Sequence, residues 1–323
     1  MGIWNLELRI SLKIATLWVV TRRVKNCKLK IFIIMYYYIY DSFLENLKYR
    51  KILDRVEIRL SDLAIAGEAS HVRPLRNLEE IVLEALGQGK RTIIAVGNDY
   101  TFKKIVNTVL NQNGIPLSEI TVGIIPVGQP NFISEGLGVP ANEMACEVIS
   151  GRIIKIIDVG QVNQEYFLTQ AVCGFGGKNE DRNKRGNLSY LQALHYKPQD
   201  IIIKIDDKFQ ARLDLFHLVL INLSLKKEAL PLTNPADGFL NVFATSKLSP
   251  FSLFDKLKLI EGEKYALLPK TSVFQATKVQ ILSPHQKQID ILGDLQKIGS
   301  TPATIKILPR HLRIIVGKER TFE

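Results

Sequence analysis

Hydrophobic and polar positions follow two different patterns along this chain, and the pattern changes near residue 150. From Met35 onward, short apolar runs alternate with segments whose apolar residues recur at helical spacing. The strand candidates are MYYYIYD, RTIIAVG and VGIIPVG, and the helix candidates are LENLKYRKILDRVEIRLSDLAI, LEEIVLEALGQG and TFKKIVNTVLNQNG. Strands and helices alternating at short spacing predict an α/β unit with a mostly parallel, covered sheet.

After residue 150 the chain reads as short β-branched strands with tight turns, as in RIIKIIDVGQVNQEYFLTQAVCGFG and TIKILPRHLRIIVG. Such strands are typical of antiparallel hairpins in a sandwich or barrel. Two helical pieces, around residues 186–196 and 249–258, interrupt them. We therefore predict an α/β domain over residues 35–150 and a β-rich, β-sandwich-like domain over residues 151–323.

Residues 1–34 differ from the rest because they contain seven Lys and Arg residues but a single acid, Glu7. These basic residues divide two apolar runs, neither of which approaches the roughly 20 residues that span a bilayer. A secretory signal is not expected either, because no small-residue cleavage site follows an apolar core. Two interpretations stay open: an extension upstream of the true domain, with Met35 as the real start, or an amphipathic segment on a membrane surface.

Composition narrows the class of protein. The chain of 323 residues is long enough for two domains, and 46% hydrophobic with 23% charged residues is close to the globular average. Cys27, Cys146 and Cys173 are far apart, which suits unpaired thiols in a reducing compartment rather than a disulfide framework or a zinc site. The net charge of +11 favours anionic partners such as nucleotides, nucleic acid or an anionic membrane surface.

Five segments occur in an order that resembles the diacylglycerol kinase catalytic family, which includes sphingosine kinases and has NAD kinases as distant relatives. AVGNDYT is similar to that family's G-G-D-G-T turn, and IIPVGQPNFISEGLGVP to its P-x-G-T-x-N-D-F-A-R segment. FLTQAVCGFGG, NPADGFLNV and IGSTPATIKILPRHLRIIV resemble its later motifs. The five segments are residues 95–101, 124–140, 167–177, 234–242 and 298–316.

The resemblance implies transfer of the ATP γ-phosphoryl group to a lipid hydroxyl, with Mg²⁺, in the cleft between the two domains. Asp99 and Asp237 are the implied catalytic acids. The implied nucleotide-binding residues are Gly97, Asn98, Asp99, Tyr100, Thr101, Gly128, Gln129 and Asn131. The implied partners are ATP and a lipid at the inner face of the membrane, with the protein cytoplasmic or peripheral there.

Several residues depart from the family pattern where the family grips phosphate. Asn98 and Tyr100 stand at glycine positions of the turn, and tyrosine rarely adopts the left-handed backbone that glycine allows. Pro130 has no N–H to donate. Two acids of the family are replaced, by Phe132 and Asn241. These changes support a second hypothesis, a non-catalytic relative that binds a nucleotide or phospholipid as a sensor or scaffold.

Each candidate also has a purely structural interpretation. Asp99 or Thr101 could cap the helix that begins near Phe102. Lys103 and Lys104 could meet phosphates at that helix N-terminus or lie on a solvated face. Pro-Ala-Asp-Gly around Asp237 is a good turn sequence.

Other sites and partners find little support in the sequence. The late turn Gly293-Asp294-Leu295 only partly preserves an Asp-Gly-acid motif of the family. No Walker A or G-x-G-x-x-G sequence occurs. The histidines have no metal-binding spacing, and no nucleic-acid-binding signature is present.

Overall fold

A computed structural model describes residues 36–74, 76–175, 195–229, 233–248, 250–284 and 288–323. Met35–Glu323 form one compact unit. The helix expected around residues 186–196 lies almost wholly outside the described ranges. None of the helices in these ranges is long and apolar enough to cross a bilayer.

The first half of this unit is a parallel sheet with helices, as predicted. Neighbouring strands lie in the order β2-β1-β3-β4, and every pair is parallel. Its strands are β1 (Tyr36–Tyr40), β2 (Glu68–His71), β3 (Thr92–Gly97) and β4 (Thr121–Pro126). Its helices are α1 (Arg50–Asp62), α2 (Leu78–Gly87), α3 (Asp99–Asn111), α4 (Phe132–Gly136) and α5 (Ala145–Gly151). Short 3₁₀ turns cover Ser42–Glu45, Leu47–Tyr49, Leu117–Glu119 and Asn142–Met144.

Strand β1 is unusual because it is buried yet consists mostly of tyrosines. All five of its residues are buried, and a buried phenol hydroxyl needs a hydrogen-bond partner. The Tyr38 hydroxyl donates to the Ile65 carbonyl at 2.7 Å, and the Tyr37 hydroxyl shares a 2.7 Å hydrogen bond with Ser70. The tyrosines therefore add hydrogen bonds to the apolar contacts of this strand.

The second half is β-rich and antiparallel, which confirms the predicted fold class. Strand β9 is central, pairing with β7, β8 and β10. The elements are β5 (Ile154–Val162), β6 (Glu165–Phe167), β7 (Gln170–Gly174), β8 (Gln199–Ile205), β9 (Phe209–Ile221), β10 (Leu240–Ser246) and α6 (Pro250–Glu261). A 3₁₀ turn (Tyr265–Leu267) precedes β11 (Thr271–Ala276), β12 (Lys278–Leu282), β13 (Asp290–Gly293), β14 (Gln296–Ser300) and β15 (Ala303–Ile315).

The last strand, β15, joins the two halves. It pairs with β12 and β5 in antiparallel fashion and with β4 in parallel fashion. The predicted division at residues 150 and 151 falls at the end of α5, just before β5, and the sheet continues across it. The division into two domains therefore stays a prediction, and no extended linker separates the halves in the described residues.

Asp158, on β5, holds the irregular part of β15 in place. It is fully buried, and its two carboxylate oxygens accept the N–H groups of Gly238 and Arg310, each at 2.7 Å. Arg310 lies in the bulge of β15 and has a φ of 51°, a backbone that few side chains adopt. The carboxylate thus satisfies two partly buried amides in a region where the strand ladder is interrupted.

Replacing Asp158 tests this arrangement. We expect Asp158→Ala to lower the free energy of unfolding by roughly 2–4 kcal/mol, because two hydrogen bonds to a charged acceptor are lost and two amides lose their partner. Urea unfolding measures the change. Asp62→Ala is the control, since that aspartate at the end of α1 is 59% exposed in its pair with Arg59 and should matter little. Equal midpoints for the two variants would contradict the expectation.

Candidate functional site

The turn between β3 and α3 contains the residues predicted to bind nucleotide. Gly97 precedes it, and a Cβ atom there would lie 2.5 Å from the Thr101 hydroxyl oxygen, so the position requires glycine. Asn98 is the N-cap of α3, with an extended backbone at φ −96°. Tyr100 lies in the first turn of α3, so neither substituted residue needs the left-handed backbone that glycine allows.

Asn98 closes the N-terminus of α3. Its side-chain oxygen accepts the N–H groups of Tyr100 and Thr101 at 3.1 and 3.2 Å. The N–H of Asp99 donates to the Pro130 carbonyl, and the N–H of Phe102 to the Asn98 carbonyl. The expectation that Asp99 or Thr101 caps this helix was wrong, because the preceding residue, Asn98, has the geometry of an N-cap. The first four amides of α3 all have partners within the protein.

Asp99 points away from solvent and caps a different helix. Its side chain is 4% exposed and accepts the N–H groups of Ile133 and Ser134, at 2.9 and 3.4 Å, at the start of α4. Burial raises the pKa of Asp99 to about 7, while these hydrogen bonds act in the opposite direction. A carboxyl group with this pKa carries a proton for part of the time at neutral pH.

The loop after β4 lies against the same turn. The Asn98 side-chain amide donates to the Gln129 carbonyl at 2.9 Å. At Gly128, where φ is 86°, a Cβ atom would lie 2.9 Å from the Phe43 ring. Phe43 packs edge-to-face on Tyr49, with ring centroids 5.4 Å apart, so an aromatic pair covers the surface that this glycine opens.

Asn131 and Asp41 complete the surroundings of the turn. Asn131 is 5% exposed, and its side-chain oxygen has no hydrogen-bond partner among the described residues. Asp41 follows β1 and accepts the Thr101 hydroxyl at 2.7 Å. Sequence reasoning missed Asp41 as a site residue, because an aspartate followed by serine at the end of a strand reads as an ordinary turn.

The lysines after the turn have different surroundings. Lys103 is 4% exposed, and its ammonium group donates to the Gly293 carbonyl at 2.7 Å. Burial lowers the pKa of Lys103, and the nearby acids Asp294 and Glu165 oppose that shift. Lys104 is exposed. Lys103 thus connects α3 to the turn between β13 and β14.

Asp294, on that turn, is a buried acid. Its carboxylate accepts the N–H groups of Leu168 and Thr169, both at 2.8 Å, and the Thr169 hydroxyl. Its charge contributes to the raised pKa of Asp99. The sequence offered a weak signal, the partly preserved turn Gly293-Asp294-Leu295. The acid that lies near Asp99 is therefore Asp294.

Asp237 has different partners. It is exposed, and its carboxylate accepts the N–H of Phe239 at 2.9 Å, which closes its own turn. Burial and the nearby charge of Asp158 raise its pKa. Its catalytic role, like that of Asp99, stays a prediction. No group of three His, Cys, Asp or Glu residues that could hold a metal occurs within the described part of the chain.

The raised pKa of Asp99 predicts a pH dependence of stability. An acid whose pKa is higher in the folded state stabilises that state below its unfolded pKa, and the contribution is lost as the pH rises through the folded value. Asp99→Asn removes this titration. We therefore expect the stability of the native chain, relative to Asp99→Asn, to fall between about pH 4 and about pH 7. Urea unfolding of both proteins across that range measures it, and a constant difference would contradict the assignment.

Comparisons with known proteins agree with this architecture. Residues 38–162 match the family described as the diacylglycerol kinase catalytic domain. Residues 178–316 match the YegS C-terminal NAD kinase beta sandwich-like domain. The two matches follow each other in the order that the motifs predicted.

Relatives found by sequence and by structure are similar to this chain over most of their length. The chain is 25% identical to a diacylglycerol kinase of Bacillus subtilis (strain 168), over 79% of this chain and 84% of that protein. It is 27% identical to a diacylglycerol kinase of Staphylococcus epidermidis, over 70% and 74% of the two chains. A crystal structure of a diacylglycerol kinase from Bacillus anthracis str. Sterne superposes with a TM-score of 0.68 at 19% identity, over 88% of this chain and 97% of that one. The two family matches, which together span most of the chain, identify it as a member of the diacylglycerol kinase-like family.

Proposed function

We propose that this chain is a diacylglycerol kinase relative that binds a phospholipid without transferring phosphate to a lipid. The observation that carries the proposal is that both predicted catalytic acids accept hydrogen bonds from the protein's own backbone. Asp99 caps α4 from within the core, whereas Asp237 closes an exposed turn. Phosphoryl transfer depends on positioned charges around the transferred group, and these two carboxyl groups have separate partners.

The arrangement at α3 does not fit a bound triphosphate. Helix N-termini hold phosphate through free N–H groups, and here the side chain of Asn98 and the carbonyls of Pro130 and Asn98 occupy those groups. Displacing an Asn cap costs about 1 kcal/mol, roughly a fivefold loss of affinity. The aromatic cover at Gly128 and the missing N–H of Pro130 add to this cost.

Asp99 is also poorly suited to Mg²⁺. Both of its oxygens accept backbone N–H groups, and a metal-binding carboxylate must be deprotonated. A pKa raised to about 7 leaves the group partly protonated under ordinary conditions. Asp99 is therefore not proposed as a metal ligand in this chain.

Lipid binding is supported by the family and by the charge of the chain. The relatives named above are called diacylglycerol kinases, and the net charge of +11 suits an anionic membrane surface. Cys146 and Cys173 are free and buried, in keeping with a reducing compartment. We propose that the protein acts at the cytoplasmic face of a membrane as a peripheral protein.

Titration of the full chain with Mg²⁺–ATP by calorimetry tests this function. We expect a dissociation constant in the millimolar range or weaker. Asn98→Gly with Tyr100→Gly should strengthen binding several-fold, because the amides of α3 become available to phosphate. Thr108→Ala, a change farther along α3, is the control. Micromolar binding by the native chain would overturn the proposal, and unchanged binding by the double variant would show that Asn98 does not obstruct the turn.

A second candidate function is ATP-dependent phosphorylation of a lipid hydroxyl. It is favoured by the extent of the match, since the chain covers 84% of one curated diacylglycerol kinase. Transfer of labelled γ-phosphate to diacylglycerol in mixed micelles distinguishes the two functions. Transfer that Asp99→Ala abolishes would establish the kinase, whereas no transfer together with retained lipid binding would support the non-catalytic relative.

A further inference from the structure

We propose that a basic surface around the 3₁₀ turn Tyr265–Leu267 docks this chain onto an anionic lipid bilayer. The inference deepens the proposed function and rests on it, since it assigns the contact with the lipid to particular residues. This surface consists of Leu267 and the four lysines Lys247, Lys258, Lys264 and Lys270. We call it the lysine surface.

Leu267 is exposed because its buried neighbours anchor the turn in the core of the β-rich half. Its neighbours Tyr265 and Leu268 are 3% and 4% exposed, whereas Leu267 is 54% exposed. Tyr265 and Leu268 belong to the apolar cluster beneath α6, and the Tyr265 hydroxyl lies 3.3 Å from the side-chain oxygen of Gln170. The turn is therefore fixed at two points on either side of an exposed leucine. Ala266 and Pro269 beside it are also exposed.

Backbone and side-chain contacts bring the four lysines around this turn. The N–H of Leu267 donates to the Lys264 carbonyl, and the N–H of Lys264 to the Leu259 carbonyl on α6. The Lys258 carbonyl accepts the N–H of Gly262, close to the same end of α6. The ammonium group of Lys270 lies 3.5 Å from the Lys247 carbonyl.

The four lysines outnumber the described acids beside them, which are Glu261, Glu263 and Asp214, whose carbonyl accepts the N–H of Lys247. Lys247, Lys258 and Lys270 are exposed and Lys264 is half-buried, and within the described residues none of the four pairs with a carboxylate. Glu263 is 5% exposed, and its carboxylate accepts the N–H of Leu225, so its charge points inward. Glu261 is half-buried. A leucine surrounded by lysines matches a bilayer that offers an apolar interior beneath anionic headgroups.

Two other exposed aliphatic residues provide a comparison. Ile58 on α1 is 62% exposed, but its surroundings are balanced, since Arg55 pairs with Glu143 and Arg59 with Glu147. Leu47 is 79% exposed and lies beside Lys48, so it is the rival for contact with a membrane. A single exposed leucine needs no explanation, and the inference therefore depends on the lysines as much as on Leu267.

Co-sedimentation of the full chain with vesicles tests the surface. The probes are vesicles of phosphatidylcholine alone and vesicles in which about a third of the lipid is phosphatidylglycerol, an anionic lipid that attracts basic residues. We expect binding only to the anionic vesicles. Lys264→Gln with Lys270→Gln should weaken it by roughly fivefold per lysine, and Leu267→Ser should weaken it several-fold further.

Matched variants separate this surface from general charge and from other exposed leucines. Lys204→Gln with Lys208→Gln removes the same charge from the β8–β9 hairpin, and Ile58→Ser removes an exposed aliphatic group elsewhere. Both should bind as the native chain does. Equal loss in the two double lysine variants would overturn the proposal, and so would loss in Leu47→Ser with none in Leu267→Ser. Circular dichroism confirms that each variant is folded.

Binding to monomeric short-chain phosphatidylglycerol distinguishes the failure of this inference from that of the proposed function. A chain that binds the monomeric lipid but not the vesicles overturns the docking surface and leaves the proposed function standing. A chain that binds neither form of the lipid overturns both.

Discussion

The pairing of β15 with three other strands fixes the arrangement of the two halves. One continuous strand donates and accepts backbone hydrogen bonds with β12, β5 and β4, so the α/β and β-rich parts share a sheet. The bulge between Leu308 and Leu312 interrupts this ladder, and the buried carboxylate of Asp158 satisfies the amide that the interruption exposes. The site between the halves is consequently built on a frame of backbone hydrogen bonds, which is stiffer than one held by a flexible linker.

Within that frame, the N-terminus of α3 can serve either a ligand or the protein itself. The same amides cannot donate to a phosphate and to the Asn98 side chain at once, and here they donate to Asn98. Because Asn98 caps the helix, the side chains of the next residues are free to contact other elements. Asp99 turns inward to α4, and Thr101 donates its hydroxyl to Asp41. A turn that resembles a phosphate loop in sequence has become a set of contacts between β1, α3 and α4.

The extent to which sequence predicted this structure varied with the kind of signal. Strands β1, β3 and β4 are continuous apolar runs that are buried along their whole length, and such runs are readily recognised. Strand β2 was missed because Glu68–His71 is short, polar and mostly exposed. The sequence did contain a signal for the capping role of Asn98, since asparagine before a helix is a favoured N-cap. The burial of Lys103 was not, because it depends on a carbonyl 190 residues away in the chain.

The residues that replace the family's glycines at positions 98 and 100 each fit the local backbone of this fold. Losing a glycine at position 98 would leave the helix N-terminus unsatisfied if the replacement were apolar, but asparagine supplies the missing acceptor. Losing a glycine at position 100 would strain a left-handed turn, but Tyr100 lies in a right-handed helix. The ring of Phe43 covers Gly128, next to Pro130, which has no N–H to offer. The N–H groups at the start of α3 all have partners, whereas the buried side-chain oxygen of Asn131 has none among the described residues. The start of α3 is therefore satisfied by contacts within the protein, as the proposed non-catalytic function requires.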